Sequence, residues 1–459
     1  MKMMSIDKKT IVYVVSFFVL FIILGVSIFF SSKVDNELST NILEGEIVYT
    51  SDEVITIRDD KGNEYTVSGD IEATLGNKIL LKYTGVLDLN KEMQDIEIVN
   101  YSVETASTSS LPDKYKDNGI FSDYYDLAYD KLKEMTLDEK IGQLLLVRYP
   151  DTNGVELLKE YGFAGYVFFE KDFKNRTKEE IVSMMNSLEE ASDIPIVTAV
   201  DEEGGKVVRV SSNPALRDSA FMSPSELYSL GGFDKIENDT KEKSKLLKSL
   251  GINVNLAPVV DVSTDSSDYM YERTLKEDTA LVSEYAKTVI EASKGTGVSY
   301  TLKHFPGYGS NADTHTGTST DTRSLEDIMN NDIPPFEAGI NSGAEAVLVS
   351  HNIVNSIDMA NPASLSPNVH DLLRDDLGFT GVIITDDIAM DAVSGIADVA
   401  VFAVKAGNNL IITTDYEESF NSIKTAVNDG EITEEDIDEL VFRTLAWKYY
   451  KGLMFNNVK

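Results

Sequence analysis

The stretch "GVIITDD", residues 381–387, sets four β-branched residues between a glycine and two aspartates. A short apolar run bounded by turn signals reads as a strand buried on both faces, the kind found in parallel sheets. Asp386 and Asp387 stand where that strand ends. The arrangement recurs elsewhere in the chain. Asp201 follows "PIVTAV", Lys303 and His304 end "VSYTLKHF", and His351 ends "EAVLVSH". Four strands therefore deliver ionisable groups at the same end, which is where a (β/α)8 barrel gathers its functional side chains.

The segments "QLLLV", "AGYVFF", "INVNLA" and "NLIITT" bring the strand count to eight. Amphipathic stretches such as "KEEIVSMMNSLEEAS", "LVSEYAKTVIEASKGTG" and "IPPFEAGINSG" separate most of them. The first helical run, "YDLAYDKLKEMTLDEKIGQLLLV", carries a capping signal at Thr136 and Glu139. Residues 113–459 are thus expected to form a single (β/α)8 TIM barrel in an α/β protein. Alternation alone also allows a doubly wound open sheet. Its dinucleotide-binding version lacks support, because no Gly-rich phosphate loop follows the first strand.

Upstream, "IVYVVSFFVLFIILGVSIFF" (residues 11–30) carries no charge and is long enough to cross a bilayer as a helix. Lys2, Lys8 and Lys9 precede it, which predicts a cytoplasmic N-terminus (residues 1–10) and an exported remainder. The run is longer than a signal-peptide core and lacks an Ala-x-Ala site, so an uncleaved single-pass membrane anchor is expected, with the catalytic region extracytoplasmic. Residues 41–104 hold five short β-branched segments with turn signals between them, which reads as a small all-β domain, with a five-stranded barrel as its expected form. "TASTSSLP" (residues 105–112) reads as a linker.

Composition narrows the function. Of 459 residues, 41 are basic and 77 acidic, a net charge of −36 that disfavours nucleic acid and other polyanions as partners. The absence of cysteine excludes disulfides, thiolate metal sites and a cysteine nucleophile.

Two of the chain's four histidines fall within "KHFPGYGSNADTHTG", residues 303–317. Gly307 and Gly309 mark a mobile loop that carries Asp313 and His315. An aspartate beside a histidine fixes the tautomer and raises basicity, so the pair can move a proton near neutral pH. A metal site would need a third ligand and closed geometry, with His304, Asp313 and His315 as the only set at hand and no helix-borne pair to support it. Asp386 could serve as nucleophile, metal ligand or cation binder, while Asp387 reads as a cap for the helix expected next. Lys303 and His304 look like hydroxyl-binding donors. In "DEEGGKVVR", Asp201 and Arg209 are binding candidates, and Glu202 and Glu203 read as solvated loop charges. Arg273 is either a binding group or half of a surface ion pair.

In order along the chain, "DEEGG…R", "NVNLAPVVDV", "ERT", "KHFPGYG", "DTH", "AVLVSH", "ASLSP", "LGFTGVIITDDIAM" and "AGNNLIITT" resemble glycoside hydrolase family 3, and within it the NagZ-type β-N-acetylglucosaminidases. The resemblance spans nearly all of residues 113–459. It implies a retaining exo-β-N-acetylglucosaminidase that works without metal or cofactor on GlcNAc-containing cell-wall saccharides. It further implies Asp386 as nucleophile, His315 as acid/base, Asp313 as its dyad partner, and Asp201, Arg209, Arg273, Lys303 and His304 as sugar-binding residues. A β-glucosidase or a β-glycoside phosphorylase on the same scaffold, or a non-catalytic wall-binding barrel, would show similar strings. Two departures stand out. Tyr308 occupies a position the family usually gives to histidine, and the loop from there to His315 is about one residue shorter than usual.

Overall fold

A computed structural model of the chain describes residues 40–50, 54–59, 61–69, 71, 77–89, 91, 93–94, 96–104, 111–311, 313–314 and 317–455. The expected anchor at 11–30 and the expected acid/base His315 lie outside the described residues. Among the described residues, no helix is long and apolar enough to cross a membrane. The chain divides into two compact units, parting after Thr108.

The first unit is an antiparallel sheet of β1 (Thr40–Thr50), β2 (Val54–Arg58), β3 (Glu64–Ser68), β4 (Lys78–Gly85) and β5 (Ile96–Glu104), in the spatial order β3-β2-β1-β4-β5. Alternation along each strand sends Ile47, Ile55, Ile57, Val67, Ile79 and Leu81 to one buried face. No ladder joins β3 to β5 among the described residues, and the link between those edges is a hydrogen bond from Gln94 N–H to Thr66 O (2.8 Å).

The second unit is built on eight parallel strands: β6 (Leu145–Arg148), β7 (Gly165–Phe168), β8 (Val197–Val200), β9 (Val254–Asn255), β10 (Ser299–Phe305), β12 (Ala346–Val349), β14 (Val382–Thr385) and β15 (Ile411–Thr413). They pair in chain order into a nearly closed barrel, consistent with a TIM barrel. Between β14 and β15 the ladder shrinks to one bridge, Ile384 to Leu410. There the N–H of Ile383 bonds Asn409 Oδ1 (2.9 Å) and that of Ile412 bonds Thr385 Oγ1 (3.0 Å). A further parallel pair, β11 (Thr320–Asp321) and β13 (Ile353–Val354), lies outside the barrel sheet.

Helices alternate with the strands and cover them, which is why the strands are apolar on both faces. Their starts follow from sequence. Thr136 and Glu139 form the expected capping box, and so do Thr177 with Glu180, Ser223 with Glu226 and Thr433 with Asp436. The long first run is in fact two helices, Tyr125–Glu134 and Leu137–Gly142, because that cap interrupts it. No helix follows Asp387 directly. Residues 388–396 form turns, and Asp387 Oδ1 accepts the Ala389 N–H (3.0 Å) instead of capping a helix.

Candidate active site

At the C-terminal mouth of the barrel lies a cavity of about 440 Å³. Asp201, Arg209, Arg273, Lys303, His304 and Asp386 all line it, arriving from the ends of β8, β10 and β14 and from the loops after β8 and β9. Six sequence-predicted residues are thus brought to one place.

Asp386 leaves β14 into the cavity. Burial pushes its carboxyl up, but the imidazoles of His351 and His304, the Asp387 N–H and the Lys303 ammonium outweigh that and hold it below the ordinary aspartate value. Its Oδ1 accepts the Asp387 N–H at 2.9 Å. Asp386 is therefore a charged, oriented carboxylate. Its neighbour Asp387 also lines the cavity, and burial raises its carboxyl. His351 stands behind this pair instead of facing the cavity. Its Nε2 lies 2.9 Å from the Asp387 carbonyl, which can only accept, so Nε2 carries a proton, and Nδ1 pairs with the Ser364 hydroxyl (2.7 Å).

Glu203 organises the other wall. Read in sequence as a solvated loop charge, it is buried, and Arg273 grips it with two hydrogen bonds of 2.7 and 3.0 Å. Lys303 Nζ reaches both Glu203 and Asp201 at 2.7 Å. Burial opposes the Glu203 charge, yet Arg273 and Lys303 hold its carboxyl well below the usual range. Arg273 is accordingly no surface ion pair. Glu202 is not solvated either. It is fully buried and accepts the N–H groups of Arg209 (2.8 Å) and Val210 (2.7 Å), which fixes the turn that presents Arg209. Arg209 approaches Asp201 only to 3.9 Å, and its Nε is buried with no partner among the described residues.

Lys303 and His304 are joined by a cis peptide, and both side chains line the cavity. His304 Nδ1 lies 2.8 Å from Asp261 Oδ2, and its Nε2 lies 3.4 Å from Arg273 Nη2. A guanidinium has no acceptor, so this geometry places the proton on Nδ1 and leaves Nε2 a lone pair. Asp261 was not singled out in sequence, although a lone acid inside "APVVDV" is a readable signal. Its second oxygen accepts the Tyr308 N–H (2.7 Å).

The stretch from Gly307 to Gly309, read as the start of a mobile loop, is packed in place. Both glycines have positive φ, and a Cβ on either would come within about 2.5 Å of Asp332 or Arg323. These glycines permit close approach to an ion-pair cluster in which Arg323 joins Asp321 and Asp332. Asp313 is half-buried and hydrogen-bonds the Tyr269 hydroxyl, a residue that does line the cavity. Among the described residues, no three His, Asp or Glu side chains are grouped to hold a metal ion.

Comparison with known proteins gives one consistent result. The family model for the glycosyl hydrolase family 3 N-terminal domain matches residues 136–446. A β-hexosaminidase of Xylella fastidiosa (strain M23) is 33% identical over 253 residues, covering 53% of this chain and 73% of that protein. A solved family 3 β-N-acetylglucosaminidase from a Paenibacillus species is 28% identical at a TM-score of 0.65, covering 70% of this chain and 63% of the other. A family 3 glycosyl hydrolase structure from Mycobacterium smegmatis is 29% identical at a TM-score of 0.62, covering 69% and 98%.

Proposed function

Since the chain belongs to glycoside hydrolase family 3, we propose that this glycoside hydrolase is a retaining exo-β-N-acetylglucosaminidase that removes terminal β-linked GlcNAc from peptidoglycan fragments. The observation that carries the reading is Asp386, a half-buried carboxylate held charged in a cavity it shares with Asp201, Arg209, Arg273, Lys303 and His304, donors and acceptors suited to sugar hydroxyls. The β-hexosaminidase and β-N-acetylglucosaminidase relatives support GlcNAc as the sugar.

In this reading Asp386 attacks the anomeric carbon and forms a glycosyl-enzyme, while His315 donates a proton to the departing glycosidic oxygen. The neutral imidazole then takes a proton from water as the water attacks, and the sugar leaves with its configuration retained. Asp313 stabilises the imidazolium form that precedes donation. Most glycosidases use a second carboxylate for this step, so the histidine is a departure. Asp201, Arg209, Arg273, Lys303 and His304 bind the sugar. Residues 11–30 anchor the chain in the membrane with the barrel outside the cell, a reading supported by the uncharged run and the lysines before it.

The deciding experiment is covalent trapping with a 2-deoxy-2-fluoro glycoside, followed by peptide mass analysis. An adduct on Asp386 is expected. No adduct and no turnover of any aryl glycoside would overturn the enzymatic reading in favour of a binding barrel. Comparing p-nitrophenyl GlcNAc with the glucoside, with and without phosphate, tests sugar and acceptor. A preference for glucose, or a rate that depends on phosphate, would overturn the substrate assignment.

A further inference from the structure

We propose that Tyr308 is a positioning residue for proton transfer, its hydroxyl tethering the loop that carries Asp313 and His315 by holding Thr314 between them. The proposal rests on the reading of His315 as the acid/base.

The Tyr308 hydroxyl accepts the Thr314 N–H at 2.9 Å and shares a second hydrogen bond, 2.8 Å, with Thr314 Oγ1. On its other side, the Thr314 carbonyl accepts the Ala392 N–H (3.3 Å) from the turn that follows the Asp386 strand. Thr314 is buried, so these groups have no ready alternative partner in water. The residue between the two members of the dyad is therefore fixed from both sides.

The tether is itself immobile. Tyr308 is 2% exposed and packs against Val259 and Met270. Its ring stands edge-on to His304, with 5.7 Å between centroids, and lies tilted against Tyr269 at the same separation. Tyr269 in turn bonds Asp313. The Tyr308 N–H donates to Asp261 Oδ1, while the other oxygen of that carboxylate holds His304. The sugar-facing histidine and the dyad loop thus share one anchor.

The choice of tyrosine has a chemical consequence. Burial pushes the phenol up to about 12, so it keeps its proton across the neutral range. A histidine here would titrate near neutrality and change its hydrogen bonding as it did so.

The test uses the full chain with Tyr308→Phe, Tyr308→His, Thr314→Val and His315→Ala. Tyr308→Phe keeps the ring and its packing but removes the hydroxyl. Amide exchange in a peptide spanning 308–319 is expected to rise at least about tenfold in Tyr308→Phe. On aryl glycosides with poor leaving groups, kcat/KM should fall about 10- to 100-fold, and on good leaving groups by less than about threefold. Thr314→Val should show the same selectivity more weakly. Tyr308→His should recover part of the loss, with a new ionisation in its pH profile. Unchanged exchange in Tyr308→Phe, or equal loss on both substrate classes, overturns the tether. If His315→Ala discriminates by leaving group and Tyr308→Phe does not, only the tether falls. If His315→Ala slows both classes equally, the acid/base reading falls, and the proton-transfer role of Tyr308 falls with it.

Discussion

Arg273 holds Glu203 through a two-pronged pair, Nη2 to Oε1 at 2.7 Å and Nε to Oε2 at 3.0 Å, across 70 positions of sequence. Lys303 takes the same Oε1 from the other side, also at 2.7 Å. Glu203 thus compensates two cations, Lys303 buried and Arg273 half-buried, and both side chains also line the cavity.

Removing that anion leaves both cations short of a partner. Glu203→Gln is expected to cost about 3–5 kcal/mol of stability, because breaking a buried pair strands a charge. The carboxyl is depressed in the folded state, so its contribution is full above its ordinary value of 4.5 and is lost as pH falls through the lower folded value. Denaturant melts of wild type and variant should converge as pH drops below that range. A constant gap would exclude Glu203 as the source.

His315→Ala should slow substrates with poor leaving groups about 10²–10⁴-fold, the ordinary contribution of a general acid, and good ones far less. Steady-state rates over a series of aryl β-GlcNAc glycosides give the answer directly. A slope unchanged from wild type would refute the assignment.

Asp261→Asn offers one acceptor oxygen and one amide donor where the carboxylate takes three N–H groups, the His304 amide, His304 Nδ1–H and the Tyr308 amide, so at least one of them is left unmet. A buried donor left unmet costs about 1–3 kcal/mol, or about 5- to 150-fold in kcat/KM. The loss should fall mainly on KM if His304 binds the sugar as proposed. A pure kcat effect would mean that His304 acts in the chemical step.

Asp332 predicts the opposite pH trend from Glu203. Burial raises its carboxyl to about 6 from 3.8 despite Arg323 beside it. Between those values the folded protein holds a proton that the unfolded chain has released, so stability declines as pH rises through that window. Relative to Asp332→Asn, wild type should lose up to about 3 kcal/mol from pH 4 to pH 6, read from paired melts. A gap that does not change with pH would show that Asp332 is charged throughout.

The rim was legible because of where residues sit in strands. Asp201, Lys303, His304 and Asp386 close apolar runs, and strand direction alone sends them to one mouth. Loop residues gave no such handle. Glu203 looked like one acid among several in "DEEGG", and its distinction depends on Arg273, which only the folded chain brings near. His351 shows the limit of the strand-end rule. It ends its strand as expected, yet the backbone turn points its ring at the Asp387 carbonyl. Gly307 and Gly309 carried the right message, backbone freedom, but that freedom is used for close packing and not for motion.

The seam between β14 and β15 sets how replaceable this scaffold's residues are. A backbone ladder is indifferent to side chains, and most strand positions in the barrel can exchange one apolar residue for another. At the seam, two amides depend on particular side chains, Ile383 on Asn409 and Ile412 on Thr385. Arg374 adds a further bond to the same Asn409 oxygen (2.7 Å). Thr385 immediately precedes Asp386, so a sequence-specific hydrogen bond supplements the backbone bonds of the seam, such as Thr385 N–H to Leu410 O (3.0 Å), one residue from the carboxylate the strand presents. Drift in sequence elsewhere in the wall alters packing, whereas drift at Asn409 or Thr385 removes a hydrogen bond from the strand end that presents Asp386.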